Sequence, residues 1–105
     1  MKILRTSSGT LRYLDFAGEG RPLVMIHGLG CAGSFEYPHV ASAAALRGRR
    51  VLVPDLLGYG YSDRPCDFGY TTTDHARVLC EKVAEFPEVD LYGHSMGGSI
   101  AIELA

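Results

Sequence analysis

The glycines of this chain are concentrated where apolar segments end, and this placement limits the possible folds more than any other feature. Thirteen of the 105 residues are glycine, about twice the usual share. One cluster, at 27–33, follows the apolar run 23–26, and another, at 93–98, follows the run 89–92. Short apolar runs between turn-forming residues are typical of strands buried in a largely parallel sheet. The clusters are therefore expected at the carboxyl ends of strands, where α/β sheets bind ligands.

Composition and charge describe one globular domain. Hydrophobic residues make up 47% and charged residues 21% of the chain, and the formal net charge is −2. So small a charge gives little attraction for nucleic acid or an anionic membrane, which favours a small-molecule substrate. The first residues lack a signal-peptide pattern and no apolar stretch is long enough to span a membrane, so we predict a cytoplasmic protein. Three widely spaced cysteines indicate neither a disulfide framework nor a metal site.

Strand and helix patterns alternate along the chain. Residues 3–5 and 11–16 flank a turn-rich tetrapeptide and predict a hairpin, whereas 18–22 are expected to interrupt the chain. Further strands are predicted at 23–26, 50–53 and 89–92. Helices are predicted at 40–47, from a capping box at Thr71 and Asp74 to Phe86, and from Met96 to Ala105. The fold class is α/β, with a mostly parallel sheet, an antiparallel N-terminal hairpin and helices on both faces.

The first glycine cluster has two interpretations. Gly28, Gly30 and Gly33 form a G-x-G-x-x-G pattern, and Asp55 follows at the distance of a ribose-binding acid, which favours a dinucleotide site. Pro38 lies too close to Gly33 for the long helix that such a site requires. The alternative is a tight turn whose backbone N–H groups stabilise a developing oxyanion. The sequence around Asp55 itself, with Gly58 and Gly60, indicates a structural loop.

The second glycine cluster contains a G-x-S-x-G pattern centred on Ser95. In a nucleophile elbow, a serine occupies a strained turn between a strand and a helix, and the flanking glycines prevent clashes there. An apolar strand pattern precedes this pentapeptide and a helical pattern begins at Met96, so the context fits an elbow. The alternative is that Ser95 is an ordinary helix N-cap.

Three motifs taken together resemble the N-terminal half of the α/β-hydrolase fold superfamily, in its serine-nucleophile branch. The motifs are His27-Gly28-Leu29-Gly30, Asp55-Leu56-Leu57-Gly58-Tyr59-Gly60-Tyr61-Ser62 and Gly93-His94-Ser95-Met96-Gly97-Gly98. The resemblance implies that residues 1–105 are the N-terminal portion of a single α/β-hydrolase domain, ending in the helix after the elbow. A serine at the elbow argues against the dehalogenase and epoxide-hydrolase branches, whose nucleophile is an aspartate.

The resemblance also implies roles for individual residues. Ser95 would be the catalytic nucleophile, and the backbone N–H groups of Leu29 and Met96 would form the oxyanion hole. The family places the triad acid and histidine after the nucleophile, but the ten residues after Ser95 contain only Glu103 and no histidine. The upstream histidines are not expected to act as the base, with His27 structural, His94 directed away from Ser95, and His39 and His75 facing solvent.

The implied function is a serine hydrolase that cleaves an ester or a related bond through an acyl-enzyme, without cofactor or metal. Because the acid and histidine are absent, we expect the isolated chain to be nearly inactive. The strand at 89–92 is expected to leave an open sheet edge, which the missing C-terminal half or a second copy would cover. Alternative functions are a noncatalytic interaction module that uses this edge and, less favoured, a dinucleotide-binding domain.

Overall fold

Strands and helices alternate along the chain after an N-terminal hairpin. The computed structural model describes residues 1–41, 43 and 47–105. The strands are β1 (Lys2–Thr6), β2 (Gly9–Phe16), β3 (Glu19–Ile26), β4 (Arg49–Asp55) and β5 (Asp90–Gly93). The helices are α1 (Gly33–Glu36), α2 (Pro38–Ala41), α3 (Thr72–Val83) and α4 (Met96–Leu104).

The strands form a single mixed sheet in the order β1-β2-β4-β3-β5. The β1–β2 hairpin lies at one edge, and β2 continues the antiparallel pairing onto β4. The strand β3 lies between β4 and β5 and is parallel to both, so that Leu23 pairs with Val51 on one side and with Asp90 on the other. The predicted α/β class, with parallel strands and an antiparallel N-terminal hairpin, is confirmed.

The strand β3 begins earlier than the sequence predicts. Residues 18–22 were expected to interrupt the chain, yet Glu19 already pairs with Arg49, and its amide donates a 2.9 Å hydrogen bond to the carbonyl of Gly48. The register shifts between Glu19 and Leu23, and Gly20 adopts a φ of 77° there. An irregularity of this kind accommodates a glycine without ending the strand.

Both faces of the sheet are covered by helices, as predicted. The larger apolar cluster includes sheet residues together with Ala76, Val78 and Leu79 of α3 and Ile100 of α4. The smaller cluster joins Met25, Val51 and Val53 to residues of the α1–α2 region. Burial on both faces explains the continuous apolar runs of the central strands.

The helix boundaries follow local signals in two cases. Thr71 and Asp74 form the predicted capping box, with 3.0 Å and 3.3 Å hydrogen bonds between side chain and backbone in each direction. This helix ends at Val83 rather than Phe86, because the chain continues there as hydrogen-bonded turns. The last helix starts at Met96, as predicted. Of the helix predicted at 40–47, α2 accounts for the first residues, and residues 42 and 44–46 lie outside the described part.

The strand β5 is the last strand of the sheet, and in the described part of the chain it pairs only with β3. Tyr92, near its end, is 44% exposed. None of the helices in the described ranges combines the length and apolar character needed to cross a membrane.

Candidate active site

Ser95 occupies a strained junction between β5 and α4. Its φ of 56° and ψ of −119° lie outside the regions that non-glycine residues normally adopt. Such a conformation costs on the order of 1–3 kcal/mol and persists only where the surrounding structure imposes it. The Ser95 side chain is exposed and makes no capping hydrogen bond to α4. The arrangement therefore fits an elbow better than an ordinary N-cap.

Two glycines of the G-x-S-x-G pattern allow the junction to be this tight. A side chain at Gly93 would collide with the backbone of Gly97, and one at Gly97 would collide with the carbonyls of Ile26 and His27. The first turn of α4 thus lies directly on the carboxyl end of β3. This close approach brings Ser95 to the loop that follows β3.

Gly28, in that loop, packs against the Ser95 turn. A methyl group at Gly28 would lie 3.0 Å from the carbonyl oxygen of His94 and 3.2 Å from Cβ of Ser95. The next residue, Leu29, is 71% exposed. The structure therefore brings the Leu29 backbone and Ser95 to the same edge of the sheet.

The amide of Met96 is the first of α4, and the helix dipole favours negative charge at this end. The following amides have partners, since Gly97 donates to His94 and Gly98 donates to Ser95, each at 2.9 Å. Among the described residues, neither the Met96 nor the Leu29 amide has a hydrogen-bond acceptor. Backbone N–H groups without an acceptor are the kind of donor that an oxyanion site uses.

His27 is fully buried beneath this loop. One ring nitrogen, Nδ1, lies 2.8 Å from the carbonyl oxygen of Gly28, and the other, Nε2, accepts a 3.0 Å hydrogen bond from the amide of Leu56. Burial lowers the pKa of this imidazole, which favours the neutral ring. With both nitrogens occupied, His27 is a structural group rather than a base.

Asp55, at the end of β4, connects the start of α1 to the loop that follows β4. Its carboxylate is fully buried and accepts hydrogen bonds from the amide of Ser34 at 2.9 Å, the hydroxyl of Ser34 at 2.7 Å and the amide of Tyr61 at 3.0 Å. The carboxylate is therefore unavailable to a ribose. The helix α1 ends after four residues, at Glu36, before Pro38. The G-x-G-x-x-G segment thus lacks the geometry of a dinucleotide site.

Of the remaining acid and base candidates, His94 lies near Ser95: a methyl group at Gly28 would be 3.3 Å from its Nδ1 and 3.2 Å from Cβ of Ser95. The acid Glu103 is held elsewhere. Glu103 accepts hydrogen bonds from the hydroxyls of Thr72 and Thr73, at 2.5 and 2.6 Å, and these bonds lower the pKa of its carboxyl. It therefore joins α4 to the start of α3. His39 and His94 are exposed. Within the described ranges, no group of three or more His, Cys, Asp or Glu side chains is arranged to hold a metal ion.

The expectation that His75 faces solvent is wrong, because this side chain is only 1% exposed. The aromatic rings of the segment before α3 fold over it, with Phe68 at 5.2 Å and Tyr70 at 6.1 Å between ring centroids. A sequence signal for this burial exists, since His75 lies one helical turn before the apolar Leu79. By contrast, no local sequence pattern indicates the hydrogen bonds between Asp55 and Ser34.

Comparisons with known proteins agree with this arrangement. Residues 23–105 match the alpha/beta hydrolase family. The chain is 38% identical over 103 residues to 2-hydroxymuconate semialdehyde hydrolase of Pseudomonas sp. (strain CF600), covering 94% of this chain and 36% of that protein. It is 39% identical over 104 residues to haloalkane dehalogenase 2 of Mycobacterium bovis, covering 95% and 35%.

A solved structure shows the same relationship in three dimensions. The N-acyl homoserine lactonase AidH, complexed with N-butanoyl homoserine, superposes with a TM-score of 0.86 at 32% identity, covering 98% of this chain and 39% of that one. The chain therefore spans little more than a third of the length of these relatives. With its mixed sheet, its strained serine after β5 and a family match over most of its length, the chain belongs to the alpha/beta hydrolase family.

Proposed function

We propose that this chain carries the nucleophile and the oxyanion hole of a serine hydrolase that acts on an ester or a related bond. The observation that carries the proposal is the conformation of Ser95, an exposed serine held at a φ of 56° between a strand and a helix. Strain of this kind is typical of functional sites. In the proposed reaction, Oγ of Ser95 attacks the substrate carbonyl while a base takes its proton, and the tetrahedral intermediate expels the alcohol, which receives that proton. Water then hydrolyses the acyl-enzyme that remains.

The backbone amides of Leu29 and Met96 are the proposed oxyanion donors. Support comes from the packing of Gly28 against Ser95 and from the position of Met96 at the start of α4. A donor of this kind contributes roughly 100- to 1000-fold to the rate of acyl transfer. Both donors belong to fixed backbone, so little reorganisation is needed when the charge develops.

The base and its acid partner are proposed to come from outside residues 1–105. In the described part, both nitrogens of His27 have partners, His75 is buried, and Glu103 is bonded to two threonines. Serine alone is a weak nucleophile at neutral pH. We therefore expect the isolated chain to hydrolyse esters no faster than its Ser95→Ala variant does.

The bond cleaved is proposed to be an ester, a lactone or another acyl bond. The relatives act, by their names, on a semialdehyde, a haloalkane or an acyl homoserine lactone. A serine at position 95 favours the acyl chemistry among these, because a hydroxyl forms an acyl-enzyme that water can reopen. The chain would need neither a metal nor a cofactor for this reaction.

A chimera tests the proposal directly. Residues 1–105 would replace the matching segment of AidH, whose remaining residues provide the rest of the fold, and hydrolysis of p-nitrophenyl butyrate would be measured. We expect activity that Ser95→Ala lowers by at least about 1000-fold and that Ser99→Ala, one turn along the same helix, leaves intact. A folded chimera in which both variants behave alike would overturn the role of Ser95.

A second candidate function is favoured by one observation, the position of β5 at the edge of the sheet. An unpaired strand edge offers backbone groups to another strand, and Tyr92 beside it is partly exposed. In this alternative, the chain is a noncatalytic interaction module or associates with itself. Sedimentation at several protein concentrations tests the self-association. A chain that stays monomeric over the whole range contradicts pairing through β5.

A further inference from the structure

His75 is a buried histidine to which the proposed reaction gives no role. Its side chain lies on α3 and is packed by rings of the segment that connects β4 to α3, residues 56–71, here called the β4–α3 segment. The ring centroids of Phe68, Tyr70 and Tyr59 lie 5.2, 6.1 and 6.3 Å from that of His75. Among the described residues, the Nε2 atom of His75 has no hydrogen-bond partner.

A neutral imidazole fits this environment, whereas a protonated one does not. Protonation would place a positive charge in a buried site where Nε2 has no acceptor, which is strongly unfavourable. Attraction between a cation and the aromatic faces offsets only part of this cost. The desolvation cost is therefore the larger effect, and the histidine is held neutral by its packing.

The charged and titratable groups around His75 agree with this balance. His27 faces it from the end of β3, and its charged form would repel a second imidazolium. Asp74, next along α3, is attractive, but its carboxylate already accepts the amide of Thr71 in the capping box. Tyr59 and Tyr70 face it from the β4–α3 segment. Burial, followed by repulsion from His27, lowers the pKa of His75.

The C-terminal half of the β4–α3 segment, residues 64–71, packs on His75 through two aromatic rings, whereas the N-terminal half is also held by other parts of the fold, as by the amides of Leu56 and Asp63. Three of its aromatic residues meet at His75, and the Tyr70 hydroxyl also ties the segment to itself through a 2.7 Å bond to the carbonyl of Pro65. The ring of Tyr59 contacts His27 on its other side, with 5.2 Å between centroids. Tyr59 therefore contacts both buried histidines.

We propose that His75 is an acid-responsive anchor of the C-terminal half of the β4–α3 segment, and that uptake of one proton by its imidazole releases residues 64–71 from α3 while the sheet and residues 56–63 stay folded. The released conformation exposes the imidazole, whose pKa then returns to about 6.5. Because the packed form holds the proton less tightly, opening is favoured as the pH falls below 6.5. The proposal does not involve Ser95 and stands apart from the proposed hydrolase function.

Hydrogen exchange measured by mass spectrometry on the 105-residue chain tests this, with rates corrected for intrinsic exchange. Opening linked to one proton predicts that protection of peptides covering residues 64–75, which include the capping-box amides of Thr71 and Asp74, falls about tenfold per pH unit below pH 6.5. Peptides from β3, β4 and residues 56–63 should keep their protection. The variant His75→Phe should remove this dependence, and the matched variant His39→Phe, at an exposed histidine, should retain it. Equal slopes in all three proteins, or parallel loss of protection in the sheet, would overturn the proposal.

A second measurement keeps the proposal testable if His75→Phe does not fold. In the unmodified chain, labelled with carbon-13 in its histidine rings, the four ring signals are followed by NMR from pH 8 to pH 5. We expect the His75 signal to titrate over the same pH range in which residues 64–75 lose protection. A His75 ring that titrates while the segment stays protected contradicts the anchor.

Discussion

The Nδ1 atom of His27 lies 2.8 Å from the carbonyl oxygen of Gly28, while its Nε2 accepts the amide of Leu56 at 3.0 Å. These partners place the proton on Nδ1, since Nε2 faces a donor and Nδ1 an acceptor. The Gly28 carbonyl and the Leu29 amide belong to one planar trans peptide and point in opposite directions. The Cys31 amide also donates to this carbonyl, at 3.3 Å. His27, whose contact is the shorter one, therefore helps to fix the direction of the Leu29 N–H.

Two substitutions at His27 separate these hydrogen bonds. The amide of His27→Asn can replace the Nδ1 donor, and the carbonyl of His27→Gln can replace the Nε2 acceptor. Each variant loses one buried hydrogen bond. We therefore expect its free energy of unfolding, measured by urea denaturation, to fall by about 1–3 kcal/mol. In the AidH chimera, we expect His27→Gln to lose at least about tenfold in kcat because the oxyanion donor is released, and His27→Asn to keep most of it. The opposite order would contradict the orienting role.

The contact between Gly28 and the Ser95 turn predicts sensitivity to a single methyl group. In Gly28→Ala, the new Cβ would lie 3.0 Å from the His94 carbonyl and 3.2 Å from Cβ of Ser95, so the loop must move by a few tenths of an ångström. We expect about a tenfold loss of kcat in the chimera, with KM changed less, because the donor moves relative to the reacting oxygen. The matched control is Gly98→Ala, which should remain active. Its added Cβ would lie 3.4 Å from the carbonyl oxygen of Gly93, an ordinary van der Waals distance.

Asp55 predicts a large change in stability from an isosteric substitution. Its buried carboxylate accepts three hydrogen bonds, two from Ser34 and one from Tyr61. In Asp55→Asn, an NH2 group must face at least one of these donors, so we expect a loss of about 2–4 kcal/mol in unfolding free energy. Urea denaturation followed by circular dichroism measures it, with Asp67→Asn as the exposed control. A loss below that of the control would show that this carboxylate does not hold the two loops together.

Features that depend on neighbouring residues could be predicted from the sequence. The Thr71–Asp74 capping box involves residues three positions apart, and the turn at Ser95 is required by glycines two positions away on either side. For the same reason, the start of α4 at Met96 agrees with the prediction. These signals are short in range, so a single sequence contains them in full.

Features that depend on distant residues could not be predicted in the same way. Asp55 meets Ser34 across 21 positions, and its partners are ordinary loop residues without a pattern. The helical spacing of His75 and Leu79 places both on one face of α3, but the rings that cover His75 come from aromatic residues outside this helix, which helical spacing does not predict. The early start of β3 depends on its pairing with Arg49, a contact that local turn propensity at 18–22 opposes.

Asp15 predicts how the hairpin responds to acid. Its side chain is 4% exposed and lies 2.8 Å from both the Lys2 ammonium and the Arg50 guanidinium. The hydrogen bond from Arg50 is the main cause that lowers the pKa of Asp15 from 3.8 to about 2. Because the folded chain binds this proton less tightly than the unfolded chain, the contribution is complete above pH 3.8 and is lost as the pH falls through about 2.

The variant Asp15→Asn should therefore cost about 1–2 kcal/mol of unfolding free energy at pH 6 and almost nothing near pH 2, if both proteins are still folded there. Urea denaturation at pH 6, 4 and 3 measures the difference, which should shrink as the pH falls. The control is Asp63→Asn, at an exposed aspartate whose carboxylate accepts a hydrogen bond from the amide of Thr10 in β2. A difference that stays constant with pH would mean that Asp15 acts through packing, because an ion pair that contributes only when the carboxyl is charged must lose its effect on protonation.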